Sequence, residues 1–155
     1  MATKTRVDAP RLWTVLTRCY HAMSQIAGQS VERARLSPTS FAALEALLHK
    51  GPLTITELQS KVLLASGSMT AAVDRLETQG WVVRRPSPGD RRARVVELTP
   101  TGRAVIEVAF QRHAVELEAA TAILSATEKR ELHALLKKLG LYAVQALAAA
   151  KETDI

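Results

Sequence analysis

The stretch that decides the fold is Ser66–Arg94, which reads SGSMTAAVDRLETQGWVVRRPSPGDRRAR. Its first half predicts a helix over residues 66–79 that ends at Gly80, because apolar residues recur there at helical spacing on one face. The second half has strand character at Trp81–Arg85 and again at Arg94–Thr99, on either side of a turn rich in proline, glycine and arginine. The stretch therefore predicts a helix followed directly by a basic hairpin.

The hairpin is strongly cationic. Within the thirteen residues from Val82 to Arg94, five arginines against one aspartate give a local net charge of +4. Planar guanidinium groups on a projecting ribbon suit contacts with phosphates or insertion into a narrow minor groove. We expect the aspartate at the tip to accept hydrogen bonds from an arginine and to fix the direction of that side chain. The predicted DNA contacts of the hairpin are Arg84, Arg85, Asp90, Arg91, Arg92 and Arg94.

The helix before the hairpin presents small and polar side chains on its outward face. Hydroxyl groups can donate to or accept from base edges, and the methyl groups of alanine and threonine can touch a thymine methyl. Arg75 can pair with guanine or bind a phosphate. The predicted DNA contacts of this helix are Ser66, Ser68, Met69, Thr70, Ala71, Asp74 and Arg75.

The rest of the chain is predicted to be helical. Ser37-Pro38, Thr99-Pro100 and Ser125 with Glu128 are typical starts of helices. Thr56 with Gln59 predicts a capping box for a third helix, after a short strand at Leu53–Ile55. The predicted fold is mainly α with a small β-hairpin: six helices, with a helix-turn-helix in the middle of the chain.

The first and last helices predict a homodimer. Apolar residues line one face of a long helix over 10–35, and four leucines (132, 135, 136 and 139) line the last helix. These faces need burial, which either a two-fold partner or a fold-back into one monomeric core supplies. We expect the dimer, because the helix-turn-helix already occupies the middle of the chain.

The composition narrows the class of function. The chain has 155 residues, a net charge of +6 and one cysteine. The basic excess favours a polyanionic partner, with a nucleic acid, DNA or RNA, ahead of a membrane. No apolar run is long enough for a membrane span and no signal peptide is visible, so a cytoplasmic protein is expected. His49, His113 and His133 show no zinc spacing, and no catalytic motif appears. We therefore expect no enzyme activity, no cofactor and no metal.

These residues resemble the MarR family of regulators. The resemblance rests on Ser66-Gly67-Ser68-Met69-Thr70, Asp74-Arg75-Leu76-Glu77, Gly80-Trp81-Val82, Gly89-Asp90-Arg91-Arg92 and Leu98-Thr99-Pro100-Thr101-Gly102. It implies one domain over 1–155: dimerisation helices at 10–35 and 100–150 that interlock with those of a second copy, and a winged helix-turn-helix lobe at 37–99. Within the lobe it implies a recognition helix at 66–79 and a wing at 82–99. It also implies that Arg92 enters the minor groove, oriented by Asp90, and that the protein represses transcription. A winged helix can also mediate protein contacts, but the arginine-rich hairpin favours DNA.

A closer similarity is to the MhqR-like branch of that family, which responds to quinones and catechols. It rests on Ser37-Pro38-Thr39-Ser40-Phe41, on Leu63-Leu64-Ala65-Ser66-Gly67-Ser68 and on Arg18-Cys19-Tyr20. It implies release from DNA by a small phenolic or quinone-like ligand. Aromatic walls with a few polar groups are typical of such pockets, which predicts a lining of Trp13, Tyr20, His21, Phe41 and His49. The alternative is a thiol switch for oxidative stress at Cys19, although a cysteine on an apolar face is usually inert.

Overall fold

The computed structural model describes residues 7–62, 68–87 and 94–153. Within these ranges the chain forms six α-helices and three β-strands. In chain order they are α1 (Ala9–Arg33), α2 (Pro38–Lys50), β1 (Leu53–Thr54), α3 (Ile55–Lys61), α4 (Met69–Thr78), β2 (Val82–Pro86), β3 (Arg94–Leu98), α5 (Pro100–Ala120) and α6 (Ala126–Thr153). The predicted order of elements is confirmed.

Local capping explains where most helices begin. The Ser37 hydroxyl accepts a hydrogen bond from the amide of Ser40, and Pro38 occupies the first turn of α2. Ser125 and Glu128 satisfy each other's backbone amides at the start of α6. Each contact meets an amide that the first turn of a helix leaves unpaired. The helix starts predicted at these positions are confirmed.

The predicted start of α3 is wrong by two residues. Thr54, and not Thr56, is the N-cap, and Glu57 rather than Gln59 completes the capping box. Both pairs fit the same sequence pattern. The earlier pair forms because a glutamate carboxylate is favoured at the positive end of a helix. The hydrogen bonds from Thr54 lower the pKa of Glu57 below its ordinary value.

The three strands form one antiparallel sheet in the order β1-β3-β2. Leu53 of β1 pairs with Val96 of β3, and Arg84 of β2 pairs with the same valine from the other side. Side chains alternate between the two faces of a strand, so Val82 and Arg84 share one face of β2. Val82 and Val96 are buried, which shows that this face is turned toward the helices.

The core is formed mainly by α2 and α4. Fully buried residues come from α2, α3, α4, the sheet and the first half of α5, and they form one cluster. Its largest members are Leu44, Leu47, Leu58, Leu76, Ile106, Val73 and Val96. This cluster belongs to one compact unit, residues 1–117; residues 118–155 form a second unit that consists mainly of α6. Among the described residues, no helix combines the length and the apolar character that crossing a bilayer requires.

Candidate nucleic-acid interface

Helix α4 has one buried face and one polar face. Its N-cap is Ser68, whose hydroxyl accepts a hydrogen bond from the amide of Ala71 at 3.4 Å. Thr70, Asp74 and Arg75 are exposed, and Ala71 is half-buried. A helix with short side chains on its open face can approach base edges closely. The structure thus presents most of the predicted contact residues of α4 on one accessible surface.

Met69 is the exception. It is only 2% exposed and lies in the core cluster with Val73 and Leu76, on the inward face of α4. Residues three, four and seven apart share a face of a helix, so Met69 lies on the same buried face as Val73 and Leu76, while Thr70 lies on the exposed face. We therefore remove Met69 from the predicted DNA contacts.

A clamp joins the hairpin to α4. The Arg84 guanidinium on β2 donates through Nη2 to Asp74 Oδ1 at 2.5 Å and through Nη1 to Glu77, and the Arg84 backbone amide donates to Glu77 Oε1 at 3.1 Å. The bond to Asp74 raises the pKa of Arg84 further above its ordinary value, with Glu77 adding to the effect against the opposing influence of burial. We refer to Asp74, Glu77 and Arg84 as the clamp.

The clamp changes two of the predicted assignments. Arg84 was predicted to contact DNA, but its guanidinium is directed at two carboxylates of the protein. Asp74 was predicted to contact DNA, and its carboxylate is the partner of that arginine. The ion pairs of these residues join β2 to α4, so neither residue presents a free charged group.

The remaining described arginines of the hairpin are more open. Arg85 lies on the opposite face of β2, where its Nε is 3.2 Å from a carboxylate oxygen of Glu97, and its side chain is 66% exposed. Arg94 is exposed at the start of β3, opposite Pro86. The predicted contacts Ser66, Asp90, Arg91 and Arg92 lie outside the described residues.

A second junction joins the end of α4 to the start of α5. Gly80 has a φ of +72° after the last turn of α4, a conformation that glycine adopts without strain. The Thr99 hydroxyl donates to the Gly80 carbonyl at 2.7 Å and accepts from the Gly102 amide at 3.0 Å. A Cβ at Gly102 would lie 1.9 Å from the Trp81 carbonyl oxygen. The motifs Gly80-Trp81 and Thr99-Pro-Thr-Gly102 therefore meet in space and fix the hairpin at its base.

A pocket lies on the same compact unit, between α1, α2 and the second half of α5. Its volume is about 430 Å³, a size suited to a small ligand. The described residues that line it are Tyr20, Met23, Ser24, Ala27, Gly28, Val31, Pro38, Phe41, Ala42, Glu45, His113 and Leu117. We refer to this cavity as the α1–α2–α5 pocket.

Comparisons with known proteins agree with this architecture. The model of the MarR family matches residues 36–93. The HTH-type transcriptional regulator MhqR of Bacillus subtilis is 36% identical over 135 residues, which cover 87% of this chain and 93% of that protein. The chain belongs to the MarR family. It is therefore a transcriptional regulator, which decides against the enzymatic alternative.

Solved structures place this MarR-family protein among winged-helix regulators. Wild-type MarR of Escherichia coli, in its apo form, superposes with a TM-score of 0.67 at 27% identity, covering 86% of this chain and 98% of that one. BpsR of Bordetella bronchiseptica, whose DNA binding is regulated by 6-hydroxynicotinic acid, superposes with a TM-score of 0.72 over 87% of this chain and 96% of its own. At an identity of 22%, this similarity shows only that the two proteins share a fold.

The structure of this MarR-family protein brings together only two of the five predicted ligand contacts, Tyr20 and Phe41. Trp13 is 68% exposed and precedes Tyr20 by two turns of α1, about 10 Å along the helix. His21 is rotated about 100° from Tyr20 and pairs with Gln25 on the exposed side of α1. The predicted lining is therefore corrected by removing Trp13 and His21.

His49 is also removed from the lining of the α1–α2–α5 pocket. It lies in an adjoining groove between α2 and α3, which shares Ala42 and Glu45 with the pocket, and its ring packs edge-on against Phe110 at 4.8 Å between centroids. Cys19 is exposed on α1 rather than buried. It lies in the middle of that helix, which spans Ala9–Arg33.

The sequence analysis missed three polar residues of the pocket, Ser24, Glu45 and His113. Glu45 follows Phe41 by one turn of α2, and this spacing signals a shared face. His113 comes from α5, and its ring packs at 4.9 Å against Phe41. Its Nδ1 is 2.5 Å from the Ser30 hydroxyl, 83 positions earlier in the chain. No local pattern along the chain signals that contact.

Proposed function

We propose that this regulator binds a near-palindromic operator in duplex DNA as a homodimer, represses transcription in the cytoplasm, and leaves the operator when a small aromatic ligand binds. The observation that carries the DNA part is the polar face of α4 held by the clamp beside an arginine-bearing hairpin. A helix in the major groove reads bases, while flanking arginines bind phosphates or the minor groove.

The contacts divide by chemistry. Ser68, Thr70 and Ala71 have side chains short enough to reach base edges, so we assign sequence preference to them. Arg75 and Arg94 are exposed, and we assign them to phosphates or base edges together with Arg85. Arginines that neutralise phosphates release counterions, so affinity should fall steeply with rising salt.

The proposed homodimer rests on apolar surface that a single chain leaves open. On α1, Leu12 and Val15 are 48% and 65% exposed. On α6, four leucines at spacing i, i+3, i+4 and i+7 are between 41% and 65% exposed. Helices with such faces are stable when the faces are buried. A two-fold partner would also place two recognition helices about 34 Å apart, one turn of DNA.

The proposed ligand switch rests on the α1–α2–α5 pocket. Phe41 lines the pocket and also belongs to the buried cluster that contains Met69 and Val73 of α4. Packed cores respond to an inserted group by shifting whole elements. A ligand that displaces α2 would therefore displace α4 and change the distance between the two recognition helices. The regulation of BpsR by 6-hydroxynicotinic acid supports this proposal, because BpsR shares the fold and responds to a small aromatic molecule.

A selection from a randomised duplex pool tests the proposal, followed by fluorescence anisotropy on the selected operator. We expect recovery of a near-palindromic site with two half-sites one turn apart and tight binding that weakens with salt. Arg75→Ala and Arg94→Ala should weaken binding at least about tenfold, as expected for lost arginine contacts. Lys138→Ala on α6 removes the same charge outside the DNA-binding elements and serves as the control. Failure to enrich any sequence at low salt would overturn the proposal.

Catechol and hydroquinone test the switch. Addition of either to the operator complex should release the DNA, and Phe41→Trp, which fills the pocket, should abolish release. Unchanged anisotropy across a series of phenols, quinones and aromatic acids would reject a small aromatic ligand as the signal.

A further inference from the structure

The α1–α2–α5 pocket has an unusual charge pattern for a site that takes small organic molecules. Among the described residues that line it, none is lysine or arginine, and Glu45 is the one carboxylate. The other polar groups are the hydroxyls of Tyr20 and Ser24 and the imidazole of His113. A negatively charged ligand would therefore meet a like charge and no cation among these lining residues; Lys50 and Lys61 line the adjoining groove on the other side of Glu45.

Glu45 is available to a ligand. It is half-buried on α2, one turn after Phe41, and so lies on the face that carries the aromatic wall of the pocket. Within the described part of the chain it has no hydrogen-bond or ion-pair partner. An ionised carboxylate accepts hydrogen bonds and cannot donate them. Its natural complement is a ligand hydroxyl that donates.

His113 supplies a second polar contact, which can donate or accept a hydrogen bond. Its Nδ1 is occupied by the hydroxyl of Ser30, which is 6% exposed, so Nε2 is the ring nitrogen left for a ligand. A serine hydroxyl can donate to Nδ1 or accept from it, and Nε2 then carries a proton or a lone pair respectively. His113 can therefore serve a ligand hydroxyl or a ligand carbonyl, while the tilted Phe41 ring at 4.9 Å keeps the imidazole in place.

We infer that Glu45 is a specificity-determining residue that makes the pocket select neutral, hydroxyl-bearing aromatic molecules over aromatic carboxylates. This inference rests on the proposed function of the pocket as the effector site. One ligand hydroxyl donates to the Glu45 carboxylate, and a second hydroxyl or a ring carbonyl meets His113. An aromatic carboxylate of the same size loses the donated hydrogen bond and gains repulsion from Glu45, which is discrimination by an unfavourable contact.

Isothermal titration calorimetry on the full-length protein tests this selectivity without DNA. The probes are catechol, benzoate and benzylamine, which present a neutral donor, an anion and a cation on rings of equal size. We expect catechol to bind at least about tenfold tighter than benzoate, because a site with a polar partner for a hydroxyl rejects ligands that lack one. Benzylamine should bind more weakly than catechol, because its single head group cannot serve Glu45 and His113 together.

Variants at position 45 locate the cause of the selectivity. Glu45→Gln keeps the shape and removes the charge, and it should reduce the preference for catechol over benzoate to within about threefold. Glu45→Arg should reverse the preference, because an arginine pairs with a carboxylate. Glu32→Gln, the same change at an exposed glutamate that does not line the pocket, is the matched control and should leave the preference unchanged. Circular dichroism checks that each variant is folded.

Four outcomes would overturn the inference: equal binding of catechol and benzoate, tightest binding of benzylamine, a preference that survives in Glu45→Gln, or no binding of any probe. The proposed function of the pocket as a switch is judged by a separate measurement, the release of DNA. If catechol binds with the expected selectivity and DNA is not released, Glu45 determines specificity and the proposed switch is wrong.

Discussion

Replacement of Arg84 by methionine removes the guanidinium of the clamp and keeps an unbranched side chain of similar length. It breaks the bond to Asp74 at 2.5 Å and the ion pair with Glu77, while the hydrogen bond from the backbone amide of residue 84 to Glu77 can remain. Two carboxylates on α4 then lose their partner, and the side chain of residue 84 no longer joins β2 to α4.

The size of the effect follows from the exposure of the three groups. The side chain of Arg84 is 23% exposed, and those of Asp74 and Glu77 are 58% and 37% exposed. Partly solvated ion pairs contribute up to about 1 kcal/mol each. The loss of both pairs should therefore lower the free energy of unfolding by about 1–2 kcal/mol. For a chain of this length the corresponding fall in Tm is roughly 3–6 °C.

The deciding assay is operator affinity measured over a series of salt concentrations. Each phosphate that a cation neutralises adds about 0.9 to the slope of log affinity against log salt. Arg84→Met should weaken specific binding, because the hairpin is less well placed, and leave the slope unchanged. Arg94→Met, at an exposed hairpin arginine, should reduce the slope by about 1. Arg84→Lys keeps the charge, but lysine has no planar guanidinium group with which to bridge two carboxylates. The Tm of Arg84→Lys should therefore lie between that of Arg84→Met and that of the parent.

A flatter slope for Arg84→Met, equal to that of Arg94→Met and with an unchanged Tm, would refute the clamp. Arg84 would then bind a phosphate, and its bonds to Asp74 and Glu77 would have no role in holding the hairpin.

Three further results are expected. Gly102→Ala should lower Tm sharply, because its Cβ would lie 1.9 Å from a backbone oxygen, whereas Gly28→Ala in open space should raise it slightly; a tolerated Gly102→Ala would contradict the tight junction. The pKa values of Glu57 and Glu128 are lowered, so the stabilisation by these carboxylates is complete above pH 4.5 and is lost as the pH falls through the lowered values. The Tm of a variant with glutamine at both positions should therefore fall less between pH 7 and pH 3 than the Tm of the parent. Cys19→Ser should retain both operator affinity and release by catechol, and loss of that release would instead support a thiol switch.

The sequence predicted the features that depend on local rules. Ser37 and Ser125 begin helices because each hydroxyl meets an amide three residues away, and this pattern is visible in the chain itself. The start of α3 shows a case in which the local pattern does not decide the first residue of a helix. Thr54 and Thr56 offer the same pattern, and the register is decided in part by the pairing of Leu53 with Val96, a strand 43 positions later in the chain.

The functional groups were harder to assign than the elements. Counting cations in the hairpin identified a basic surface, but it could not show that the partners of Arg84 lie on the preceding helix, because that contact depends on the packing of β2 against α4. The choice of aromatic residues for the ligand site likewise missed His113, whose position depends on how α5 crosses α1 and α2. Residue type indicates what a side chain can do, and tertiary packing decides which partner it meets.

Helix α6 connects stability to DNA binding. No residue between 126 and 150 is buried, although the helix is 28 residues long, and an isolated helix is only marginally stable in water. The four leucines of its stripe, at 132, 135, 136 and 139, are about half exposed, so their complete burial would contribute roughly 1 kcal/mol each, or about 8 kcal/mol for two copies. Association costs about 4–15 kcal/mol, so this stripe alone barely offsets it. The other exposed apolar residues of α6 (Leu141, Tyr142, Val144 and Leu147) and the exposed face of α1 are the candidates to extend the proposed dimer interface.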